Sequence, residues 1–261
     1  MKKNKQGPRI LLMDIETSPL EVYTWGLFDQ NIGLNQVKEH TYILSWSAKW
    51  LGESKIFYMD QKNSKDFKND KKILEGMHKL LSEADIVIGH NSKRFDCRKL
   101  NYRFIVNNML PPSPYRQIDT LTIAKRYFAF DSNKLEHLAK ILNVKHKKLT
   151  NREFNGFELW KECLDHNPRA WSEMKKYNVL DTLTLESIYN VLKVWDPSIN
   201  FEVYNDNIEI KCQCGSNKLQ KRGFNYSNTG RYQRFQCLDC GKWTSSKQNL
   251  LSKEKKKSLL K

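Results

Sequence analysis

The 261-residue sequence predicts an α/β domain built on a mixed sheet, followed by a small C-terminal β unit. Three strand-like segments come first, and shorter strands then alternate with helices before a long helical stretch. That order is typical of a mixed sheet with helices packed on its faces. Two close pairs of cysteines near the C-terminus indicate a separate small unit. At about 40 residues, this unit is too short to build much core of its own.

Hydrophobic periodicity and turn residues place the elements of the larger domain. Its strands are predicted at residues 8–14, 42–50, 54–59, 85–90 and 116–120. Its helices are predicted at 70–83, at 94–109 and over most of 120–195. The composition changes at DPSIN, 196–200. We therefore expect a domain at 1–200, a smaller one at 206–248 and a flexible basic tail at 249–261.

The chain carries a formal net charge of +16, and its C-terminal part is disproportionately basic. Residues 206–261 hold 13 Lys and Arg against 4 Asp and Glu, a surplus of +9. Such a field favours nucleic acid, because neutralised phosphates release counterions, although a solubilising charge excess is the alternative. The sequence has neither an apolar run of membrane-spanning length nor an N-terminal signal peptide. We expect a cytoplasmic protein with no membrane role.

The stretch LLMDIET, 11–17, ends an apolar strand in two acids, Asp14 and Glu16. The two-residue period of a strand points both side chains to the same side. Burying an unpaired carboxylate is costly, so this pair requires water, a partner or a metal.

Two further acids occupy comparable places. Asp96, in GHNSKRFD, opens the helix that follows a core strand, and Asp181 shares a helix face with Tyr177, four residues earlier. In open α/β sheets, ligands bind beyond the carboxyl ends of strands. If all four acids converge there, each pair about 4 Å apart repels by roughly 4 kcal/mol at an effective dielectric near 20. Divalent cations would relieve that repulsion, and all-oxygen ligands favour Mg²⁺ or Mn²⁺.

In order and spacing, these motifs resemble the DEDD superfamily of 3′–5′ exonucleases, the DnaQ-like proofreading type on a ribonuclease H-like fold. The resemblance spans roughly 8–195 and rests on Asp14-Ile15-Glu16-Thr17, on Gly89-His90-Asn91 through Phe95-Asp96, and on Tyr177 with Asp181. The family divides by whether a His five residues before the last Asp, or a Tyr four before it, prepares the attacking water. Lys176 and Tyr177 occupy those positions here, so the chain resembles the tyrosine subtype.

The resemblance implies a five-stranded mixed sheet and a site for two Mg²⁺ or Mn²⁺ ions that hydrolyse a phosphodiester. By that resemblance, Asp14, Glu16, Asp96 and Asp181 hold the ions, and Tyr177 positions the attacking water as the fifth catalytic residue.

Several other residues are weaker candidates. Asp119 lies at another strand end, where it either supports the site or caps a helix. Asn91 either holds the strand-to-helix turn by side-chain hydrogen bonds or simply favours the turn. Tyr23, Trp25 and Phe28 follow the first motif, where such enzymes can use an apolar wedge against the terminal base; core packing is expected for at least two of them.

The C-terminal segment supplies Cys212, Cys214, Cys237 and Cys240, with no histidine after His166. Four thiolates are a complete tetrahedral set for one structural Zn²⁺ ion. The first pair is C-x-C where zinc ribbons normally have C-x-x-C, so Cys212 is the doubtful ligand. With a hairpin expected around SNTG, the segment resembles the zinc ribbons attached to some transposases and other nucleic-acid proteins.

Four cations, Lys221, Arg222, Arg231 and Arg234, interleave with four aromatic residues between the cysteine pairs. Cations for phosphates and rings for bases would make a single-strand platform. Alternatively, the rings cover the interior of the ribbon, and only the cations contact nucleic acid.

These features together predict a metal-dependent 3′–5′ exonuclease that acts on DNA ends, with the zinc ribbon retaining the substrate. Three alternatives stay open: an exoribonuclease, a transposase-like endonuclease, and a nucleic-acid-binding adaptor without catalytic activity.

Overall fold

The computed structural model describes residues 7–146, 152–206 and 208–260. The chain divides into two compact units, one spanning Arg9–Val191 and the other containing the segment from Leu192 onward. The strands of the first unit are β1 (Ile10–Thr17), β2 (Glu21–Val22), β3 (Val37–Glu39), β4 (Ile43–Trp50), β5 (Ile56–Asp60), β6 (Ile86–Gly89) and β7 (Arg116–Asp119). Its helices are α1 (Lys71–Glu83), α2 (Asp96–Val106), α3 (Thr120–Tyr127), α4 (Leu135–Ile141), α5 (Glu158–Leu164) and α6 (Pro168–Leu192).

Five of these strands form one mixed sheet in the order β5-β4-β1-β6-β7. The central strand β1 is antiparallel to β4 and parallel to β6. The prediction of a five-stranded mixed sheet flanked by helices is therefore confirmed. The ladder between β1 and β6 ends at the pair Leu12 and Ile88, so β1 continues past its parallel neighbour for five more residues.

Every residue of β4 is buried, which shows that the sheet is covered on both faces. On one face, Trp46 packs in a cluster with α1 and α2, and its indole N–H donates to the carbonyl of Ile73 at 2.7 Å. On the other face, Ser45 and Ser47 bond to α6. The alternation of a strand thus sends successive side chains to two different cores.

A buried ion pair joins three elements of the first unit. The guanidinium of Arg103 on α2 donates to Asp70, just before α1, through Nε at 2.8 Å and Nη2 at 2.9 Å. Asp70 also accepts the backbone N–H of Ile43 in β4 at 2.9 Å. Removing one member of such a pair typically costs about 3–5 kcal/mol, because the other charge stays buried without compensation.

The second unit is built on three antiparallel strands, β8 (Leu219–Ser227), β9 (Gly230–Cys237) and β10 (Trp243–Asn249), in the order β10-β9-β8. The predicted hairpin joins β8 to β9, with Ser227 opposite Gly230. The third strand was not predicted. A short helix, α7 (Lys253–Lys257), lies in the segment predicted as a flexible tail, and the hydroxyl of Ser252 caps it by accepting the N–H of Lys255 at 3.1 Å.

The short strands β2 and β3 form a separate two-stranded ribbon after β1, where no strand was predicted. Among the helices of the described residues, none combines the length and apolar composition that a bilayer crossing needs.

Candidate functional site

The first candidate site lies at the end of β1 that extends past β6. Asp14 and Glu16 are partly buried there, whereas Ile15 between them is buried in the core. Asp14 is opposite Ser47 of β4, and Glu16 is opposite Ser45. Because the two acids are two residues apart on a strand, they share one side of the sheet.

The third acid reaches this end of β1 through the start of α2. Asp96 is the first residue of that helix, and its buried carboxylate accepts the backbone N–H of Ile15 at 3.3 Å. The strand-to-helix connection turns at Asn91, whose φ of 67° lies in the left-handed region that asparagine tolerates. Asp96 therefore contacts the backbone between the first two acids.

Helix α6 supplies the remaining two side chains. Burial raises the pKa of the Tyr177 phenol, and the charges of Asp181, Glu16 and Asp14 raise it further. The charges of Glu16, Asp96 and Asp181 likewise act on Asp14. These five predicted residues therefore lie close enough for their charges and the Tyr177 phenol to act on one another.

The site carries negative charge that the described side chains only partly offset. Burial, followed by the charges of neighbouring acids, raises the pKa of Asp14 and of Glu16 well above the usual range. Burial also raises the pKa of Asp96 to about 7, against the opposing effect of its backbone N–H donors. Such groups give up their protons readily only when a cation compensates the charge.

The acidic site is more open than a closed metal cage. Among the described residues, only the four C-terminal cysteines form a group of three or more metal-ligand atoms that all lie within 4.8 Å of one another. The donors at the end of β1 are all carboxylate oxygens, which suit hard cations such as Mg²⁺ or Mn²⁺. This donor set and its excess negative charge therefore suit divalent cations.

Asn178 is a residue of this site that sequence reasoning missed. Its buried side-chain amide donates to the carboxylate of Asp14 at 2.6 Å, and its amide oxygen faces the hydroxyl of Ser45 at 3.4 Å. One turn later, the hydroxyl of Thr182 hydrogen-bonds with that of Ser47. The sequence did contain a signal for these contacts. Asn178 and Thr182 are four residues apart on one helix, and Ser45 and Ser47 are two apart on a buried strand, so each pair places polar groups on one buried face, where they need hydrogen-bond partners.

Arg152 was also missed, because it belongs to no motif. Its guanidinium lies 4.7 Å from the centre of the Tyr177 ring, and its positive charge partly opposes the rise in the pKa of Glu16. Its Nε donates to Glu173 at 3.4 Å, which anchors it to α6. The ring of Trp160 packs nearly perpendicular to the same Tyr177 ring, with centroids 5.8 Å apart. Tyr177 is therefore held in position by side chains from two separate segments.

Asp119 combines the two roles that the sequence left open. Its carboxylate caps α3 by accepting the N–H groups of Leu121 and Thr122, at 3.0 and 3.4 Å. It also accepts the N–H groups of Asn91 and Lys93, at 2.9 and 3.1 Å. Asp119 thereby fixes the turn that leads to Asp96.

The expectation that at least two of Tyr23, Trp25 and Phe28 pack in the core is wrong. Trp25 is 96% exposed, Phe28 82% and Tyr23 66%. Hydrogen bonds between Tyr23 and Gln36 shape this segment locally, while its three rings stay exposed.

The second candidate site is the cysteine cluster. The Sγ atoms of Cys212 and Cys240 are 3.6 Å apart, and those of Cys214 and Cys237 are 3.7 Å apart. Tetrahedral thiolates about 2.3 Å from a Zn²⁺ ion would be separated by about 3.8 Å. Cys212 is fully buried within this group, so its C-x-C spacing does not keep it out of the cluster. Gly215 and Gly241, with φ of 89° and 75°, make the turns that follow each pair.

The four predicted nucleic-acid-binding cations of the ribbon, Lys221, Arg222, Arg231 and Arg234, are all exposed. The aromatic residues between the cysteine pairs differ in burial. Phe235 is buried inside the unit, whereas Tyr226 is exposed and Phe224 lies beneath Arg231, 5.1 Å from its guanidinium.

Comparison with known proteins agrees with this fold. Residues 11–193 match the model of a family described as RNase H superfamily, and the chain therefore belongs to that superfamily. No curated protein matches the chain. Among solved structures, it is similar to the family B DNA polymerase of the hyperthermophilic archaeon Pyrobaculum calidifontis, with 15% identity and a TM-score of 0.50. That match covers 72% of this chain but only 25% of the polymerase, and it shows a shared fold. The fold is that of the RNase H-like nucleases.

Asp96→Asn tests the electrostatics of the acidic site. Because folding raises the pKa of Asp96 from 3.8 to about 7, the folded state binds more protons than the unfolded state between these values. Stability of the wild type without Mg²⁺ or Mn²⁺ should therefore fall as pH rises from 4 to 8. Over that pH range, the melting temperature of the variant should rise relative to that of the wild type, by about 2–4 °C for each kcal/mol of stability that the wild type loses.

Adding Mn²⁺ at pH 8 should raise the melting temperature of the wild type and raise that of Asp96→Asn much less. Equal stabilisation of both proteins would contradict a role for Asp96 in cation binding.

Cys212→Ser tests the doubtful thiolate of the second site. We expect zinc content, measured by atomic emission after dialysis, to fall from about one ion per chain to well below one, since a tetrahedral site loses a ligand. Cys163→Ser is the matched control, because Cys163 is buried in the first unit and should leave the zinc content unchanged. Full zinc retention in Cys212→Ser would exclude it as a ligand.

Proposed function

We propose that this protein is a metal-dependent 3′–5′ exonuclease that removes nucleotides from DNA ends, and that its C-terminal unit is a zinc ribbon that helps to bind the nucleic acid. One observation carries the proposal. The charges of Asp181, Glu16 and Asp14 all act on the phenol of Tyr177, in a chain of the RNase H superfamily. A tyrosine placed against this acid cluster matches the arrangement that the resemblance to the tyrosine-subtype exonucleases implies.

The four carboxylates would hold two Mg²⁺ or Mn²⁺ ions. When bound, such a pair lowers the pKa of an attacking water and stabilises the charge that develops on the leaving oxygen. Asn178 fixes one oxygen of Asp14, and the Ile15 N–H fixes one oxygen of Asp96, so both carboxylates are oriented before a cation arrives. This preorganisation reduces the motion needed to form the site.

Tyr177 would orient the attacking water rather than remove its proton. Its pKa is raised, so the phenol stays protonated at neutral pH and acts as a hydrogen-bonding group. Arg152 over one side of the ring, and Trp160 at its edge, restrict the positions that the phenol can adopt. A fixed phenol favours a single geometry of attack.

The net charge of +16 supports nucleic acid as the substrate class. DNA is proposed over RNA, although a ribonuclease would use the same carboxylates. The distinction depends on contacts to the 2′-hydroxyl, and matched DNA and RNA substrates measure it directly.

A cleavage assay on 5′-labelled DNA and RNA oligonucleotides with Mg²⁺ or Mn²⁺ tests the proposal. We expect a ladder of products that shortens from the 3′ end and is lost with a blocked 3′ terminus. Asp14→Ala should abolish it, and Tyr177→Phe should slow it by about 10²–10⁴-fold, the usual contribution of a proton-handling or water-orienting group. Lys176→Ala, an exposed neighbour of Tyr177, is the matched control.

The other outcomes separate the alternative functions. Discrete internal cuts that survive the 3′ block would replace the proposal with an endonuclease. Faster digestion of RNA than of matched DNA would replace it with an exoribonuclease. Binding without any product under every metal condition would favour the adaptor.

A further inference from the structure

The C-terminal unit contains a cleft whose lining includes only one of the four cations predicted from the sequence, Arg234. Its volume is about 320 Å³, and its lining includes Gln213, Asn225, Arg234, Lys242, Trp243 and Ser245. Small-ligand sites in proteins usually span about 300–1,000 Å³, so this cleft can take a group the size of a single nucleotide unit but not a duplex.

The aromatic wall of the cleft is Trp243, the first residue of β10. Trp243 is 49% exposed, so part of its indole is available to a ligand. The guanidinium of Arg234 lies 5.1 Å from the centre of the indole ring, and its Nε donates to the carbonyl of Arg222 at 2.9 Å. Arg234 therefore covers one face of a ring that is still half exposed, and a cation stacked on an available aromatic surface can bind a base together with its phosphate.

Two polar side chains complete the cleft. The ammonium of Lys242, which is almost fully buried, donates to the carbonyl of Asp196 at 2.6 Å and to the side-chain oxygen of Gln213. These two hydrogen bonds go to uncharged oxygens and use two of the three N–H donors of the ammonium, while the charges of Asp196 and of the cluster cysteines also act on it. Asn225 contacts Ser245 through a long bond of 3.5 Å, and its amide has further donor and acceptor capacity for the edge of a base.

The chemistry of the lining selects one class of ligand. An indole face favours a planar aromatic group, an amide favours a base edge, and two cations favour a phosphate. In duplex DNA, the faces and pairing edges of the bases are already occupied, so only an unpaired base can use the indole and the amide together.

We propose that this cleft binds one unpaired nucleotide of a nucleic-acid strand, with the base against Trp243 and the phosphate near Arg234 and Lys242. This inference rests on the proposed nucleic-acid-binding role of the ribbon and extends it, because it makes the ribbon selective for single-stranded substrate. Trp243 and the cleft were not among the residues that the sequence singled out.

The test is binding to a fluorescent single-stranded DNA dodecamer, measured by anisotropy, with the matched duplex as a second probe. All proteins are full-length, zinc-loaded and carry Asp14→Ala, in buffer without Mg²⁺ or Mn²⁺, so that no probe is cleaved. Trp243→Ala should weaken single-strand binding roughly 5- to 150-fold, the range of one base–aromatic stack, and change duplex binding less than about twofold. Trp243→Phe, which keeps a ring, should restore most of the affinity.

Trp195→Ala is the matched control, because Trp195 is an exposed tryptophan of the same unit outside the cleft lining. It should bind both probes like its parent. Zinc content near one ion per chain verifies that each variant keeps its ribbon.

Equal losses for single strand and duplex in Trp243→Ala, or no loss at all, would overturn the proposal. So would failure of the parent protein to prefer the single strand. Because nothing is cleaved, these results do not depend on exonuclease activity, and a failure of the proposed exonuclease would be seen separately in the cleavage assay.

Discussion

The repulsion among four acids at one end of β1 is the constraint on which the rest of the structure depends. Burial and mutual charge both disfavour the ionised forms of Asp14 and Glu16, so the fold must hold these groups in an unfavourable place. It does so by three separate means. The Asn178 amide binds Asp14, the Ile15 N–H binds Asp96, and the charge of Arg152 acts on Glu16. The charge that remains is what a pair of divalent cations would neutralise.

The parts of the fold with regular local patterns were predictable from the sequence. Apolar runs and helical spacing placed the five sheet strands and the first two helices, because those patterns follow from burial on one or two faces. The strands β2 and β3 have two and three residues and carry no such period. The third ribbon strand, WTSSKQN, is mostly polar, so its pairing with β9 depends on tertiary context.

The residues of the acidic site were predictable where a short sequence spacing puts them on one face of a strand or helix. They were not predictable where long-range packing brings them to the site. Asp14 and Glu16, or Tyr177 and Asp181, share a face because of the geometry of one strand or one helix. Arg152 reaches Tyr177 from a segment 25 positions earlier that has no regular structure of its own, so no local pattern indicates it. The exposed Trp25 shows the opposite error, because aromatic residues are usually buried and the sequence does not reveal that no surface covers this one.

The most direct test of the central claim is a crystal structure of the zinc-loaded protein with Mn²⁺, with anomalous scattering used to locate the metal. We expect two manganese peaks, about 3.5–4 Å apart, among the carboxylates of Asp14, Glu16, Asp96 and Asp181, and none there in Asp96→Asn crystals grown alike. Crystals in which Mn²⁺ binds only elsewhere, with Asp181 turned away from the other three acids, would contradict it.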